Sequence, residues 1–95
     1  MTAQEMFYKL DFVVNDSWTS KEYAQNYLRY EKPILTNDYY QKLMCIAVVM
    51  FDKKAKTVSV FYDDFEEGYE GDELVEVYMP LLKAINKQCK ELGWI

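Results

Sequence analysis

Residues 43–62, LMCIAVVMFDKKAKTVSVFY, decide the fold that this sequence predicts. Residues 43–51 are apolar throughout, which is typical of a central strand or of a strand covered on both faces. Residues 52–56 are mostly polar and predict a turn. Residues 57–62 are rich in β-branched and aromatic side chains, with Val58 and Val60 on one side. Together the three parts predict a β-hairpin.

Residues 7–14 predict a second kind of strand, because apolar and polar residues alternate there. A period of two is typical of a strand with one buried face. The turn-forming residues 15–17 would end this strand. Its apolar side would carry Tyr8, Leu10, Phe12 and Val14.

A helix is predicted to begin at Thr19, since Thr19 and Glu22 have the spacing of a capping box. Pro33 would end it, because proline disfavours a helical conformation in the residue before it. A second short helix is predicted over residues 36–43, with Thr36 or Asn37 as its cap. Tyrosines spaced by four and three residues would form an aromatic face on the first helix: Tyr23, Tyr27 and Tyr30.

The C-terminal part carries an apolar stripe with helical spacing, and Pro80 leaves two interpretations open. The preferred one is a single helix capped by Asp72 and kinked at Pro80, because the stripe stays in phase across the proline. The other is a third strand over residues 74–79, followed by a helix that Pro80 starts. Gly93 ends the helix in both. The stripe consists of Leu74, Tyr78, Leu81, Leu82, Ile85, Cys89 and Leu92.

The predicted class is α+β: a small antiparallel sheet, in β-α-β-β-α order, with helices packed on one face. With 95 residues, the chain is expected to form a single compact domain over residues 1–95. Trp94 is expected to fold back onto the core, and Trp18 to pack against Tyr23 before the first helix. Cys45 and Cys89 are expected to be reduced core residues.

Charge and composition exclude several classes of function. A net charge of −5 argues against direct binding of nucleic acid or of an anionic membrane. No apolar run approaches the roughly 20 residues that span a bilayer, and residues 1–5 show no secretory signal. We therefore expect a cytoplasmic protein.

The sequence also lacks the residues of common catalytic and metal sites. It has no histidine, and its three glycines do not form a phosphate-binding loop. A calcium loop starting at Asp63 would have Gly68 at its sixth position but Phe65 at its third, where an oxygen ligand is needed. We therefore predict no enzymatic activity, no cofactor and no metal site.

One segment points toward a partner. Between Thr57 and Leu82 the sequence has eight carboxylates and no lysine or arginine. This acidic segment, residues 63–76, has a formal charge of −8, while the rest of the chain sums to 11 − 8 = +3. Such asymmetry favours a positively charged partner. The carboxylates are Asp63, Asp64, Glu66, Glu67, Glu70, Asp72, Glu73 and Glu76, and the aromatic residues among or beside them are Tyr62, Phe65 and Tyr69.

Two explanations of the acidic segment stay open. In the first, it is solvated surface that stabilises a helix N-terminus and discourages edge-to-edge aggregation. In the second, it occupies the basic surface of a nucleic-acid-handling protein, with the aromatic residues as anchors. Phage-encoded blockers of host defence nucleases, including anti-CRISPR proteins, and immunity proteins of secreted nucleases have this size and charge. That likeness concerns class and charge only, since no motif matches either group.

The alternative function is that of a structural or interaction subunit. An exposed aromatic surface would then form a homodimer or receive another protein, and the acids would serve only solubility. The tyrosines of the first half of the chain would supply this surface: Tyr23, Tyr27, Tyr30, Tyr39 and Tyr40.

Overall fold

A computed structural model describes residues 1–14, 26–38, 41–64 and 76–95, with side chains described outside residues 34–38, 41–45 and 63–64. It shows a small antiparallel four-stranded sheet with two helices, which confirms the α+β class. That all helices pack on one face stays a prediction. The elements are α1 (Ala3–Lys9), β1 (Val13–Val14), β2 (Tyr27–Asp38), β3 (Gln41–Asp52), β4 (Thr57–Asp64) and α2 (Met79–Glu91).

The predicted hairpin is confirmed as β3 and β4. The strand order is β1-β2-β3-β4, so β3 is central, and it pairs with β4 from Asp52 opposite Thr57 to Cys45 opposite Asp64. Residues 46–49 are all buried. Because successive side chains of a strand point to opposite faces, β3 is covered on both of them.

Asp52 shapes the turn between β3 and β4. Its carboxylate accepts hydrogen bonds from the amides of Lys54 at 3.0 Å and Ala55 at 2.9 Å. Such a side-chain contact replaces a backbone turn contact and explains why an aspartate begins the turn. Lys56 then adopts a positive φ of 57° before β4 begins.

The core joins both helices to the sheet around a group of aromatic rings. Phe7 of α1 stacks on Tyr30 of β2 with ring centroids 3.9 Å apart, and Phe51 of β3 meets both rings edge-on. The Trp94 ring lies 6.2 Å from that of Phe51, so the predicted return of Trp94 to the core is confirmed. The cluster consists of Phe7, Phe12, Tyr30, Ala47, Val49, Phe51, Leu81, Ala84 and Ile85.

The predicted strand over residues 7–14 is wrong for residues 7–12, of which 7–9 belong to α1 and 10–12 connect it to β1 through a turn. Thr2 and Glu5 form a capping box there, and the helix buries Ala3 and Phe7, which are one turn apart. Asp11, at a φ of 68°, then reverses the chain. Only Val13–Val14 remains as a strand.

Both helices predicted between residues 19 and 43 are contradicted from Tyr27 onward, while Asn26, the one described residue before it in that range, is helical. Tyr27–Asp38 is a strand, and β3 begins at Gln41. The reason is tertiary, because twelve residue pairs join β2 to β3 and override the local helical spacing. Pro33 is tolerated because β1 pairs only with Glu31 and Tyr30. The predicted cap at Thr19, with Trp18 and Tyr23, lies outside the described residues.

The kinked C-terminal helix is wrong, and the alternative start at Pro80 is confirmed. Tyr78 is the N-cap of α2, and Pro80 lies in its first turn, so Asp72 does not cap this helix. Residues 76–78 are not in a strand, and residues 74–75 lie outside the described part. At the other end Gly93 has a φ of 77° and Trp94 N donates to Cys89 O at 2.9 Å, as in a Schellman motif. The predicted end of α2 is therefore confirmed.

Cys89 is a free, half-buried thiol, as predicted, and burial raises its pKa. The side chain of Cys45 lies outside the described part. In the described ranges, none of the helices has the length and apolar character needed to cross a bilayer.

Candidate interaction surface

The acidic segment runs from the edge of the sheet to helix α2. It begins with Asp63 and Asp64, the last two residues of β4, which pair with Ile46 and Cys45. It ends at Glu76, two residues before the N-cap of α2. The predicted site residues between these ends lie outside the described residues: Phe65, Glu66, Glu67, Tyr69, Glu70, Asp72 and Glu73.

Glu76 is exposed, and neither a hydrogen bond nor an ion pair joins it to another described residue. Most acids elsewhere in the described part behave differently, and Asp11, which is exposed like Glu76, is the exception. Glu31 pairs with Arg29 at 2.7 Å, and Glu91 accepts a hydrogen bond from the Ala3 amide at 2.7 Å. Asp52 holds the β3–β4 turn. These acids stabilise the fold, whereas the carboxylate of Glu76 faces solvent.

Glu5 is another acid outside the acidic segment that stabilises local structure. Hydrogen bonds from the backbone and hydroxyl of Thr2 hold the pKa of Glu5 below its ordinary value. The ionised form of Glu5 is therefore part of the capping box that begins α1.

Tyr62 contributes less to the surface than the sequence suggests. It is half-buried and packs against the core beside Val60 of the same strand. Tyr62 is therefore part of the support of the sheet edge, and only part of its ring is available for contact with another molecule.

Exposed apolar residues follow Glu76 directly, and the sequence did not predict them as part of the site. The apolar surface, as we call it, includes Met79, which is 62% exposed, and Leu82, which is 47% exposed. Met79 and Leu82 are three positions apart on α2 and share one side of it. The signal that could have found them is Pro80, because a helix that starts there leaves Val77 and Tyr78 before the helix and Met79 at its first position. The surface consists of Val77, Tyr78, Met79 and Leu82.

Burial raises the pKa of the Tyr78 hydroxyl, and the nearby Asp11 carboxylate raises it further. Tyr78 therefore stays neutral and protonated at physiological pH, where it can donate a hydrogen bond to a partner. This property suits the edge of an apolar contact, where a ring is buried and its hydroxyl meets polar groups.

One of the tyrosines predicted to form the surface of the alternative function lies in the core. Tyr30 is 2% exposed, and its hydroxyl donates to Gln88 Oε1 at 2.6 Å. Tyr27 is half-buried in β2, while Tyr23, Tyr39 and Tyr40 lie outside the described residues. Tyr30 is therefore not available to a partner.

A cavity of about 410 Å³ lies between the start of α1, the sheet and α2. Its principal polar groups already bond to one another or to the backbone, through the Tyr30–Gln88 and Ala3–Glu91 hydrogen bonds. The cavity therefore lacks a set of unpaired polar groups that could bind a ligand. Its lining comprises Thr2, Gln4, Val14, Leu28, Tyr30, Gln88 and Glu91.

The described residues contain no group of three or more Cys, Asp or Glu side chains placed to hold a metal ion. Comparison of the chain with models of protein families, with curated proteins and with solved structures gives no match. The function is therefore inferred from the surface alone.

Proposed function

We propose that this protein is a small acidic inhibitor that occupies the basic nucleic-acid-binding surface of a target protein. The observation that carries the proposal is the contrast among its acids. Glu76 projects into solvent without a described partner, whereas Glu5, Glu31, Asp52 and Glu91 stabilise local structure. Asp63 and Asp64 end the edge strand β4, and the acids between them and Glu76 in the sequence add to the same stretch of negative charge.

The spacing of charge supports this proposal. DNA has one phosphate per roughly 1.7 Å of helix axis, and a groove that binds DNA is lined with lysine and arginine. Neighbouring acids on a strand or helix stand about 5 to 6 Å apart, so several of them can meet such a groove together. Neutralisation by the partner would also relieve the mutual repulsion of eight like charges.

In this proposal the apolar surface supplies binding affinity that charge alone does not provide. Surface ion pairs contribute little affinity. Aromatic and methionine side chains that become buried in an interface commonly contribute more. Tyr78, Met79 and Leu82 lie within six positions of Glu76 in the sequence and are exposed. In this proposal the acids guide the encounter and the apolar residues anchor the complex.

The proposal places the protein functionally beside phage anti-defence proteins, such as anti-CRISPR proteins, and nuclease immunity proteins. It implies a cytoplasmic protein that binds neither nucleic acid nor a membrane directly. It also implies blocking by occupancy, without catalysis or a cofactor.

The test is capture from an extract of the source cell with two baits. One is the wild-type chain, and the other carries Asp63→Asn, Asp64→Asn, Glu66→Gln and Glu67→Gln. We expect the wild-type chain to recover a nucleic-acid-binding protein and the variant to lose it. Purified target should release its nucleic acid when the wild-type chain is added, and affinity should fall steeply with salt.

A charge-matched control separates position from net charge. The four substitutions change the net charge from −5 to −5 + 4 = −1. Adding Lys54→Gln, Lys83→Gln, Lys87→Gln and Lys90→Gln returns it to −1 − 4 = −5. We expect this control to remain inactive. Recovery of binding in the control, or binding that is insensitive to salt, would refute the proposal.

The alternative of an interaction subunit keeps one supporting observation, the exposure of Met79 and Leu82. In that case the apolar surface would carry the contact and the acids would serve only solubility. Replacing Met79 and Leu82 by serine would then abolish the complex, while neutralising the acids would leave it intact. Because the proposed inhibitor also needs the apolar anchors, the neutralised acids decide between the two functions: they abolish binding by an inhibitor and leave an interaction subunit intact.

A further inference from the structure

Strand β4 forms one edge of the sheet, and no described strand pairs with its outer side. The other edge, β1, is only two residues long. β4 has eight residues, Thr57–Asp64. The outer backbone groups of β4 are therefore open in the described part of the sheet. The outer side of β2 beyond Glu31 is open as well, but Pro33 interrupts it.

The first six residues of β4 leave most of that edge without the usual protection. Natural edge strands discourage pairing with other chains through charged residues, proline, bulges or short length. Residues 57–62, TVSVFY, contain no charged residue, no proline and no glycine. Val58 and Val60 pack against the core yet stay half-buried. A neighbouring strand would cover the rest of both side chains.

Charges of opposite sign stand at the two ends of β4. Lys54 and Lys56, both exposed, lie in the turn before it, and Asp63 and Asp64 end it. A parallel second copy would bring like charges together at both ends. An antiparallel second copy would instead bring the lysines of each chain to the aspartates of the other.

We propose that β4 pairs antiparallel with β4 of a second copy of this chain, which would join two four-stranded sheets into one sheet of eight strands. A two-fold axis at Val60, for example, places Lys56 opposite Asp64 and Val58 opposite Tyr62. The symmetry closes after two chains, because each chain uses its β4 edge once.

This inference goes beyond the proposed function and does not depend on it. An edge-to-edge contact of eight residues is small, and small interfaces are weak. We therefore expect a monomer–dimer equilibrium that shifts with protein concentration, and less dimer at high salt. The first test below changes only Ser59, which lies outside the proposed inhibitor surface. The second also changes Asp63 and Asp64, which belong to that surface, so its readout is self-association alone.

The first experiment is sedimentation equilibrium of the wild-type chain up to millimolar concentration, beside Ser59→Lys and Ser59→Thr. Ser59 is exposed in the middle of β4, so a lysine there adds the charge that protects natural edges while leaving the core intact. We expect a wild-type dimer, at least a tenfold weaker dimer for Ser59→Lys, and an unchanged dimer for Ser59→Thr. Circular dichroism checks that all three are folded.

The second experiment mixes two charge-reversed chains. One carries Lys54→Glu and Lys56→Glu, and the other carries Asp63→Lys and Asp64→Lys. Each chain has like charges at both ends of β4, so each alone should stay monomeric. Mixed together, they should form a heterodimer, because each acidic end then meets a basic one.

Several outcomes would overturn the inference. The wild-type chain could stay monomeric at millimolar concentration. Its dimer could also persist unchanged in Ser59→Lys, which would assign the contact to another surface. A dimer that strengthens with salt would mean that like charges meet, as they would between parallel strands. If the two charge-reversed chains are folded but do not associate, the pairing of the lysines of one chain with the aspartates of the other is excluded.

Discussion

The phenol ring of Tyr30 packs against Phe7 and Phe51, and its hydroxyl reaches Gln88 of α2. A buried glutamine on a helix face is costly unless its amide is satisfied. Here the Tyr30 hydroxyl supplies the donor, so one hydrogen bond ties β2 to α2 through the core. The pair is not evident in the sequence, because the two residues are 58 positions apart.

Tyr30→Phe is expected to destabilise the protein by about 1–3 kcal/mol, because the buried Gln88 oxygen loses its donor. Urea unfolding measures the change. The double variant Tyr30→Phe with Gln88→Leu is the control and should recover part of the loss, since neither polar group is then buried. A single-variant loss within about 0.5 kcal/mol, typical of surface sites, would contradict this.

The pH dependence of stability should also reveal Tyr30. Burial, with smaller effects from Glu91 and Tyr8, raises the pKa of Tyr30 from 10.0 to about 12. Between these values the unfolded chain loses the phenolic proton while the folded chain keeps it. This contribution to stability is therefore complete below pH 10 and is lost as the pH rises toward 12.

The comparison of wild type with Tyr30→Phe isolates that contribution. We expect the free energy of unfolding of the wild type to fall more steeply above pH 10, so the gap between the two proteins narrows. Phenolate absorbance gives a direct check, since the wild type should have one more late-ionising tyrosine than Tyr30→Phe. Parallel pH profiles would show that Tyr30 titrates like an exposed tyrosine.

Among the elements, α2 depends on Gly93 for its ending. Gly93 has a φ of 77°, and its amide donates to Lys90 O at 3.0 Å. A side chain there would have room, because a Cβ at this position would meet no atom within 4 Å beyond the adjoining residues. The cost of a substitution is therefore conformational, since residues with a Cβ disfavour the left-handed region.

Gly93→Ala should destabilise the protein by about 1–2 kcal/mol, the usual cost of a left-handed alanine. Gly93→Asn should lose less, because asparagine tolerates this conformation better. Thermal unfolding of the three proteins gives the order Gly, Asn, Ala. Equal stability of the Ala and Gly proteins would mean that the end of α2 rearranges without cost.

The elements differ in how far they are predictable from sequence. The β3–β4 hairpin is predictable because its signals, an apolar run, a polar turn and a β-rich run, are local. β2 is not, because its tyrosines have helical spacing and only pairing with β3 makes them a strand. For α1, the capping box of Thr2 and Glu5 is a better signal than the alternation after Phe7.

The candidate surface is predictable only in its charge. Composition locates the acidic segment, because no lysine or arginine interrupts it. The exposed Met79 and Leu82 depend on where α2 begins, and the in-phase apolar stripe favours the wrong start. Periodicity reports which side of a helix is apolar, but it does not report where the helix begins.

At the scale of the whole molecule, the uneven charge should make stability depend on salt. Eight like charges repel one another, and the Debye length falls from about 30 Å at 0.01 M to about 8 Å at 0.15 M salt. We expect the free energy of unfolding to rise over this range. The variant with Asp63→Asn, Asp64→Asn, Glu66→Gln and Glu67→Gln should show a smaller rise.

Urea unfolding at the two salt concentrations, at low micromolar protein, measures this effect. Asp11→Asn serves as the control, because it removes a charge outside the acidic segment and asparagine also tolerates the positive φ of that position. An equal salt response in all three proteins would place the repulsion elsewhere in the molecule.

The distribution of contacts along the chain also has a consequence for biosynthesis. Strands β2, β3 and β4 pair with their neighbours in sequence, whereas the Ala3–Glu91 hydrogen bond spans 88 positions. Local pairing costs less chain entropy, so we expect the strands to associate first and α2 to dock last. On the ribosome the strands emerge before Leu81, Ala84 and Ile85, which complete the core. Until those residues arrive, the nascent chain displays one uncovered face of its sheet to chaperones and proteases.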